Sequence, residues 1–393
     1  MLLAVSLLQV DGQDVSQYQR LFQDLFSNYD RRILPRKDQK TVQIQFGAAL
    51  IKINELSERQ QMLHVNLWLR MHWNDFRLVW TPADYGNTSV FRVPADNIWY
   101  PDLVLYNDAS GGFAIPSVNG NAHALVYSDG SVLWIPPKQF QVMCEIETSR
   151  FPHDRHTCSM KFGSWTYSGD LLNMTYYEGR EDLDLSDYSA NDDWEIVAST
   201  GRRFDKFYPC CVEPYPDITY NLTLKRTNPD FYVTSIFLPS VILTFIVPFL
   251  FLIRPDRYEK SILGIGATLG LLFLLKISLD IFPSAMKKTP VILMFQAGGL
   301  FLAGIGLLIT HIHGNLWISN FKNSPPNCLT SLCVQCFGRI TCVGADDDGE
   351  PLNGEQKSAA ASEWRLLIAA CNRFLFIVFI VLITVLAFIL LTP

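Results

Sequence analysis

Residues 144–167 read CEIETSRFPHDRHTCSMKFGSWTY. Cys144 and Cys158 bracket a short loop, and a Gly-Ser-Trp-Thr-Tyr run follows directly, carrying Trp165 and Tyr167. Two cysteines this close can close the loop covalently. That would hold Phe151, Pro152 and the charged tip His153-Asp154-Arg155-His156 in one place. At this length a disulfide contributes about 3 kcal/mol in the chain-entropy model. On spacing alone, a hairpin staple in a secreted domain is an equal reading.

Working outward, the 393 residues are enough for two or three domains, and the net charge of −6 carries no nucleic-acid signal. Hydrophobic residues make up 49% of the chain, but the long charge-free runs lie after Phe231. Before it the sequence reads as a β-rich domain, and after it as membrane. Cys144, Cys158, Cys210 and Cys211 lie in the first part, an even count that suits two disulfides in an oxidising compartment. Asn-x-Ser/Thr sequons lie there too, at Asn87, Asn173 and Asn221, marking them as glycosylation candidates. Together these features place the N-terminal part outside the cell. Residues 1–13 read as the remnant of a signal peptide, without a basic start or a clear cleavage site.

Residues 15–29 carry Val15, Tyr18, Leu21, Phe22, Leu25, Phe26 and Tyr29 at helical spacing, which predicts an amphipathic helix. Residues 42–53 and 62–71 then alternate apolar with polar. Gly, Pro, Asn and Asp clusters punctuate the chain up to Tyr220. Many short strands need two sheets to bury one face of each, so the expectation is a β-sandwich. The acidic residues 181–193 read as a solvated loop, with bordering a ligand site or holding a cation as the lesser alternative.

Aromatic residues are the candidates for chemistry: Trp68 and Trp73, Trp99 and Tyr106, Trp165 and Tyr167, and Tyr208 and Tyr215 around YPCCVEPY. In a sandwich the commonest place for an aromatic is the core, and Trp73, Trp80 and Trp99 are assigned there. Several ring faces around one cavity would instead attract a protonated or quaternary amine, with up to about 2 kcal/mol per desolvated contact. Cys210 and Cys211 are adjacent, and such a pair can join only through an eight-membered ring. The bland alternative is two separate thiols.

Residues 231–253 carry no charge and are long enough to span a bilayer, with Pro239 and Pro248 inside. RPDRYEK, residues 254–260, forms a short charged turn. Further spans are expected at 261–282, 291–312 and 374–392.

The Cys-loop with Phe-Pro-x-Asp inside it, then Phe-Gly-Ser-Trp-Thr-Tyr and the adjacent cysteines, resembles the Cys-loop family of pentameric ligand-gated ion channels, and most of all its nicotinic acetylcholine receptor branch. The resemblance covers residues 15–393. It implies a multidomain membrane protein: an extracellular β-sandwich with an N-terminal helix, followed by a four-helix transmembrane bundle. In such receptors an aromatic box forms between neighbouring subunits. The matching principal face here is Tyr106, Trp165, Tyr208, Cys210, Cys211 and Tyr215. The complementary face is Trp68 with Leu125, Leu133 and Ile135. Both faces occur on one chain, so a homopentamer could build complete sites; a heteropentamer is the other assembly. The second span would line the pore through Glu259, Ile262, Gly266, Leu269, Phe273, Lys276 and Asp280, with Glu259 concentrating cations and Leu269 gating by dewetting. Ile262, Phe273 and Lys276 depart from the family's polar pore pattern. Glu58, Asp154 and Arg226 would couple the domains, Arg226 lying one place from the family's usual arginine. Cys144–Cys158 and Cys210–Cys211 would be the disulfides.

The implied boundaries are 1–13 signal remnant, 14–230 extracellular ligand-binding domain, 231–314 transmembrane helices one to three, 315–363 intracellular loop, and 364–393 pre-membrane helix and fourth transmembrane helix. Cys328, Cys333, Cys336 and Cys342 in the intracellular segment read as reduced or acylated thiols in preference to a zinc site. No hydrolase elbow, His-Glu-x-x-His or phosphate loop is present, so no enzyme, cofactor or metal is expected. The expected partners are a small-molecule amine agonist, inorganic cations and the lipid bilayer, and no nucleic acid. The implied location is the plasma membrane, multi-pass, at a synapse. The competing reading is a membrane-anchored binding receptor, or a partner subunit that does not conduct by itself.

Overall fold

The computed structural model describes residues 11–111, 122–284, 286, 288–319, 321, 323–326 and 359–391. Cys328, Cys333, Cys336 and Cys342 of the expected intracellular segment lie outside these residues, as does 1–10 of the expected signal remnant. The chain divides into two units. One comprises Met1–Ile146 and Arg155–Thr227, the other Glu147–Asp154 and Asn228–Pro393.

The first unit opens with helix α1 (Asp11–Phe26), whose Leu21 is buried against the sheets beneath. Among the described residues eleven strands follow: β1 (Val42–Ser57), β2 (Met62–Val79), β3 (Val90–Pro94), β4 (Leu103–Leu105), β5 (His123–Tyr127), β6 (Asp129–Trp134), β7 (Pro137–Glu145), β8 (Arg155–Ser164), β9 (Leu172–Tyr176), β10 (Trp194–Lys206) and β11 (Tyr215–Arg226). The expected sandwich is present. In one sheet β2 pairs with β1 along one edge and with β7 and β6 in succession along the other, and β5 and β3 extend it. In the other, β8 pairs with β11 and β4, and β11 with β10. Strand β7 joins the two, meeting β8 where Cys144 faces Cys158, and those residues form a disulfide.

Period-two alternation explains the core. Leu63, Val65, Leu67, Leu69, Met71 and Trp73 point inward from β2, and Met160, Phe162, Tyr220, Leu222 and Leu224 point inward from the second sheet. Trp73 meets Trp99 edge to face at 5.9 Å between centroids, and Trp80 is buried too, as expected for the three core tryptophans.

The acidic stretch 181–193 is mostly exposed, as its reading as a solvated loop expects, but departs from it at Leu183 and Asp184. Leu183 is fully buried, Asp184 pairs with Arg70 at 2.6 Å and with Arg180 at 2.7 Å, and the Leu50 N–H donates to the Asp184 carbonyl at 2.9 Å. Burial works against the charged form of Asp184, but hydrogen bonds from Ser186 and the Arg70 guanidinium outweigh it and hold the carboxyl well below the usual range. Gly201 admits this docking, since a Cβ there would lie 1.8 Å from the Glu181 carbonyl oxygen. Composition alone misses this docking because Arg70, which compensates Asp184, lies far away in sequence.

Among the described residues, the second unit contains four helices long and apolar enough to cross a membrane: α2 (Pro229–Phe251), α3 (Glu259–Ile281), α4 (Val291–Ile318) and α5 (Ala359–Leu391). Helix α2 is irregular. A π-helical turn at Val233–Phe237 precedes Pro239, and a 3-10 turn at Val247–Phe251 contains Pro248. Each proline removes a backbone donor, and the ladder shifts around it. Inside the bundle Gln296 Nε2 donates to Ser240 Oγ at 3.0 Å, and Ser240 Oγ donates to the Ile236 carbonyl at 2.7 Å. The Cys-loop residues Glu147–Asp154 belong to this unit. Phe151 is buried there among Phe282, Tyr232 and Phe237, with centroid separations of 4.9, 5.1 and 6.1 Å. Thr148 Oγ1 donates to the Lys288 carbonyl at 3.2 Å.

Candidate functional site

Strand β8 ends at Ser164, and the turn after it is fixed by Asp102, just ahead of β4. Ser164 Oγ donates to Asp102 Oδ1 at 2.5 Å and the Thr166 N–H donates to Asp102 Oδ2 at 2.8 Å. The Tyr167 N–H donates to Ser164 Oγ at 2.9 Å. Between these anchors Trp165 is presented outward, 55% exposed, although a tryptophan of its size is normally buried. Tyr106 follows β4. Its N–H donates to the Lys161 carbonyl at 2.8 Å and its hydroxyl to the Ser164 carbonyl at 2.6 Å. The ring lies over Gly163, where a Cβ would come within 2.5 Å of the Tyr106 hydroxyl oxygen. Glycine at 163 is therefore a packing requirement of this tyrosine.

The hairpin between β10 and β11 completes the group. Tyr208 and Tyr215 meet edge to face at 5.7 Å, and Tyr106 and Trp165 are 6.4 Å apart. Cys210 and Cys211 form a disulfide, and the Tyr215 hydroxyl donates to Cys211 Sγ at 3.9 Å. Tyr106, Trp165, Tyr208, Cys210 and Tyr215 thus line one cavity of about 660 Å³ with Asn107, Lys161, Ser164 and Lys206. Burial raises the Tyr106 phenol above its ordinary pKa, with the neighbouring Tyr208 and Asp217 adding to it, so this wall of the cavity stays neutral.

Two residues that the sequence reading missed sit at its base. Lys161 Nζ lies 2.8 Å from Asp217 Oδ2, and Asp217 is only 1% exposed. Asp217 faces Gly163 across the β8–β11 ladder, and Lys161 is its diagonal neighbour. Lys161 Nζ is also 5.7 Å from the Tyr106 ring centre. Alternation puts Lys161 on the face of β8 that carries Gly163 and Trp165, but Asp217 comes to it only through the β8–β11 register.

Trp68, Leu125, Leu133 and Ile135 lie elsewhere, on the outer face of the first sheet. Trp68 and Ile135 are exposed, Leu125 and Leu133 are half-buried and directly paired, and none of the four lines the cavity. A larger recess of about 820 Å³ below α1 involves Asp30, Arg31, Arg32 and Asp96. Its charges are already matched, Arg32 with Asp30 at 2.8 Å and Arg31 with Asp96 at 3.9 Å.

On α3, Glu259, Ile262, Gly266, Leu269, Phe273, Lys276 and Asp280 are all exposed, while Lys260, Gly264, Ala267, Leu271, Leu274 and Ser278 pack inward. Lys276 Nζ is 2.6 Å from both oxygens of Asp280. Of the coupling candidates, Glu58 and Arg226 are buried and form an ion pair, and the Arg226 guanidinium lies 4.6 Å over the Trp194 ring. Asp154 is buried and belongs to the second unit. Among the sequons, Asn87 sits in an exposed turn at φ 62°. Asn173 is held in β9 by Gln43 and Arg203, and Asn221 in β11 accepts from Ser159.

Comparison with known proteins agrees with this geometry. Residues 18–228 match the neurotransmitter-gated ion-channel ligand-binding domain. An acetylcholine receptor subunit alpha-like 2 of Drosophila melanogaster is 35% identical over 326 residues, covering 80% of this chain and 56% of the relative. Acetylcholine receptor subunit alpha-L1 of Schistocerca gregaria is 36% identical over 300 residues, covering 74% and 53%. The human neuronal acetylcholine receptor subunit alpha-2 is 35% identical over 300 residues, covering 76% and 56%. The chain spans about half the length of these relatives. Following the β-rich extracellular unit in sequence, the four helices long and apolar enough to cross a membrane make it a multi-pass plasma-membrane protein. The ligand-binding-domain match runs the whole length of the β-sandwich, and with it the chain belongs to the neurotransmitter-gated ion-channel family as a Cys-loop, nicotinic acetylcholine receptor-like subunit.

Proposed function

We propose that this chain forms a pentameric channel opened by acetylcholine or a related amine and selective for cations. The observation that carries the reading is the cavity walled by Tyr106, Trp165, Tyr208 and Tyr215 with the Cys210–Cys211 pair at its edge. Neutral rings around a desolvated space favour an ammonium headgroup through their quadrupoles. The cavity is open, and Trp68, Leu125, Leu133 and Ile135 would close it from a neighbouring copy. Ligand held against Trp165 would draw the 208–215 hairpin inward, a shift that favours one of two pre-existing states. Phe151, packed among Phe282, Tyr232 and Phe237, ties the Cys-loop tip to the helices and is the natural relay. The exposed face of α3 would line the pore, with Glu259 as the inner cation ring. Family membership makes the chain a receptor and not an enzyme.

A second reading is a subunit that binds amine without conducting alone. Ile262, Leu269 and Phe273 favour it, since their exposed side chains would make an apolar constriction. Saturation binding of radiolabelled acetylcholine to the full chain at the cell surface tests the shared claim. Trp165→Phe should retain binding with reduced affinity, and Trp165→Ala should abolish it. Unchanged affinity in Trp165→Ala would reject the cavity as the site.

A further inference from the structure

Lys206 is the last residue of β10 and faces Tyr215, the first residue of β11, across the ladder. The hairpin carrying Tyr208 and the adjacent cysteines springs from this pair. Its side chain is exposed and reaches into the cavity, where Nζ stands 5.1 Å from the centre of the Tyr208 ring. Glu213 on the hairpin is exposed and forms no ion pair with Lys206 among the described residues, and the carboxylates flanking the two strand ends are engaged elsewhere. Asp205 holds Arg203 through two bonds of 2.7 and 2.8 Å, and Asp217 holds Lys161. Lys161 is thus neutralised within its pair, whereas the Lys206 ammonium rests on an aromatic face of the cavity.

We infer that Lys206 is a resident competitor, a tethered cation occupying the Tyr208 face that an incoming ammonium ligand must take. The inference rests on the amine-site reading above. Two ammonium ions cannot share one ring face. The ligand must displace Lys206, which stays on its tether a few ångströms away as a like charge. Lys206 therefore weakens binding of every cationic ligand and leaves a neutral ligand of the same shape unaffected. Because the group is exposed, the effect is modest and is screened by salt, with a Debye length of about 10 Å at 0.1 M. Lys206 would set agonist sensitivity without contributing to the recognition of ligand shape.

The test is equilibrium binding to the full chain in membranes, with acetylcholine and its neutral carbon isostere 3,3-dimethylbutyl acetate as probes. Lys206→Gln should tighten acetylcholine binding about threefold to tenfold at low ionic strength, the range expected for one like charge near a wet surface. The gain should shrink in 0.5 M salt, where the Debye length is roughly 4 Å. Lys206→Arg, which keeps the charge, should behave as the unmodified chain, and the isostere should bind both alike. An unchanged or weakened acetylcholine affinity in Lys206→Gln overturns the inference, as does an equal gain for the isostere. Trp165→Ala separates the two claims. If it abolishes acetylcholine binding while Lys206→Gln gives no gain, only the competitor role fails. If it leaves binding intact, or if neither the unmodified chain nor Lys206→Gln binds acetylcholine, the amine site fails and the competitor role with it.

Discussion

Lys161 and Asp217 form an ion pair at the base of the aromatic cavity, 2.8 Å between Nζ and Oδ2, with the carboxylate almost wholly buried. A buried carboxylate costs several kcal/mol unless a partner compensates it, so neither member is replaceable alone. Asp217→Asn should free Lys161 as a second uncompensated cation in the cavity and weaken acetylcholine binding roughly tenfold. The double variant Lys161→Gln/Asp217→Asn should recover most of that loss. Additive losses across the four-protein cycle, read by equilibrium binding, would show the pair to be uncoupled from the site.

Gly163 is the second point of sensitivity. A methyl group there collides with the Tyr106 hydroxyl at 2.5 Å. Gly163→Ala should push the Tyr106 ring outward, break its bond to the Ser164 carbonyl, and lower stability by about 1–3 kcal/mol. Pairing Gly163→Ala with Tyr106→Phe should relieve part of the clash. A thermal melt in which Gly163→Ala equals the parent would contradict the packing described.

Phe151 sits among three rings of the helical unit. Phe151→Ala removes a buried aromatic and should cost about 3–5 kcal/mol, with Phe151→Leu losing less. Fluorescence-monitored unfolding of detergent-solubilised protein reads this directly. Were Phe151→Ala to melt with the parent, the tip would not be packed as found.

The Lys276–Asp280 pair cancels one charge with another in each subunit at the C-terminal end of α3. Lys276→Gln removes one positive charge per subunit beside Asp280 and should increase cation preference, moving the reversal potential toward that of the permeant cation in dilution experiments. A shift in the opposite direction would remove this pair from the permeation path.

Much of this arrangement was legible in the sequence, for reasons that differ by residue. The β2 core positions follow from strict alternation, and the four membrane helices from length and lack of charge. Tyr106, Trp165, Tyr208 and Tyr215 were reached by motif, and the fold brings them together because β4, β8 and β11 are neighbours in one sheet. Lys161 and Asp217 were not legible because their pairing depends on the β8–β11 register, which no local pattern fixes. Asp184 was misread for a related reason: its partner Arg70 lies on β2, and a run of acidic residues looks solvated until distant cations are placed. The exposure of Trp165 runs against the usual burial of tryptophan, and the bonds made by Asp102 and Ser164 around the turn, with the Trp165 N–H donating to the Asp102 carbonyl at 3.3 Å, explain it.

The central claim is that amine binding at the Trp165 cavity opens a cation pathway. Its most direct test is whole-cell current from oocytes expressing this chain alone, under acetylcholine and related amines, with surface assembly confirmed in the same cells. The account predicts a reversible, dose-dependent cation current that disappears in Trp165→Ala. A current that survives Trp165→Ala, or surface pentamers that neither conduct nor bind any amine, would contradict it.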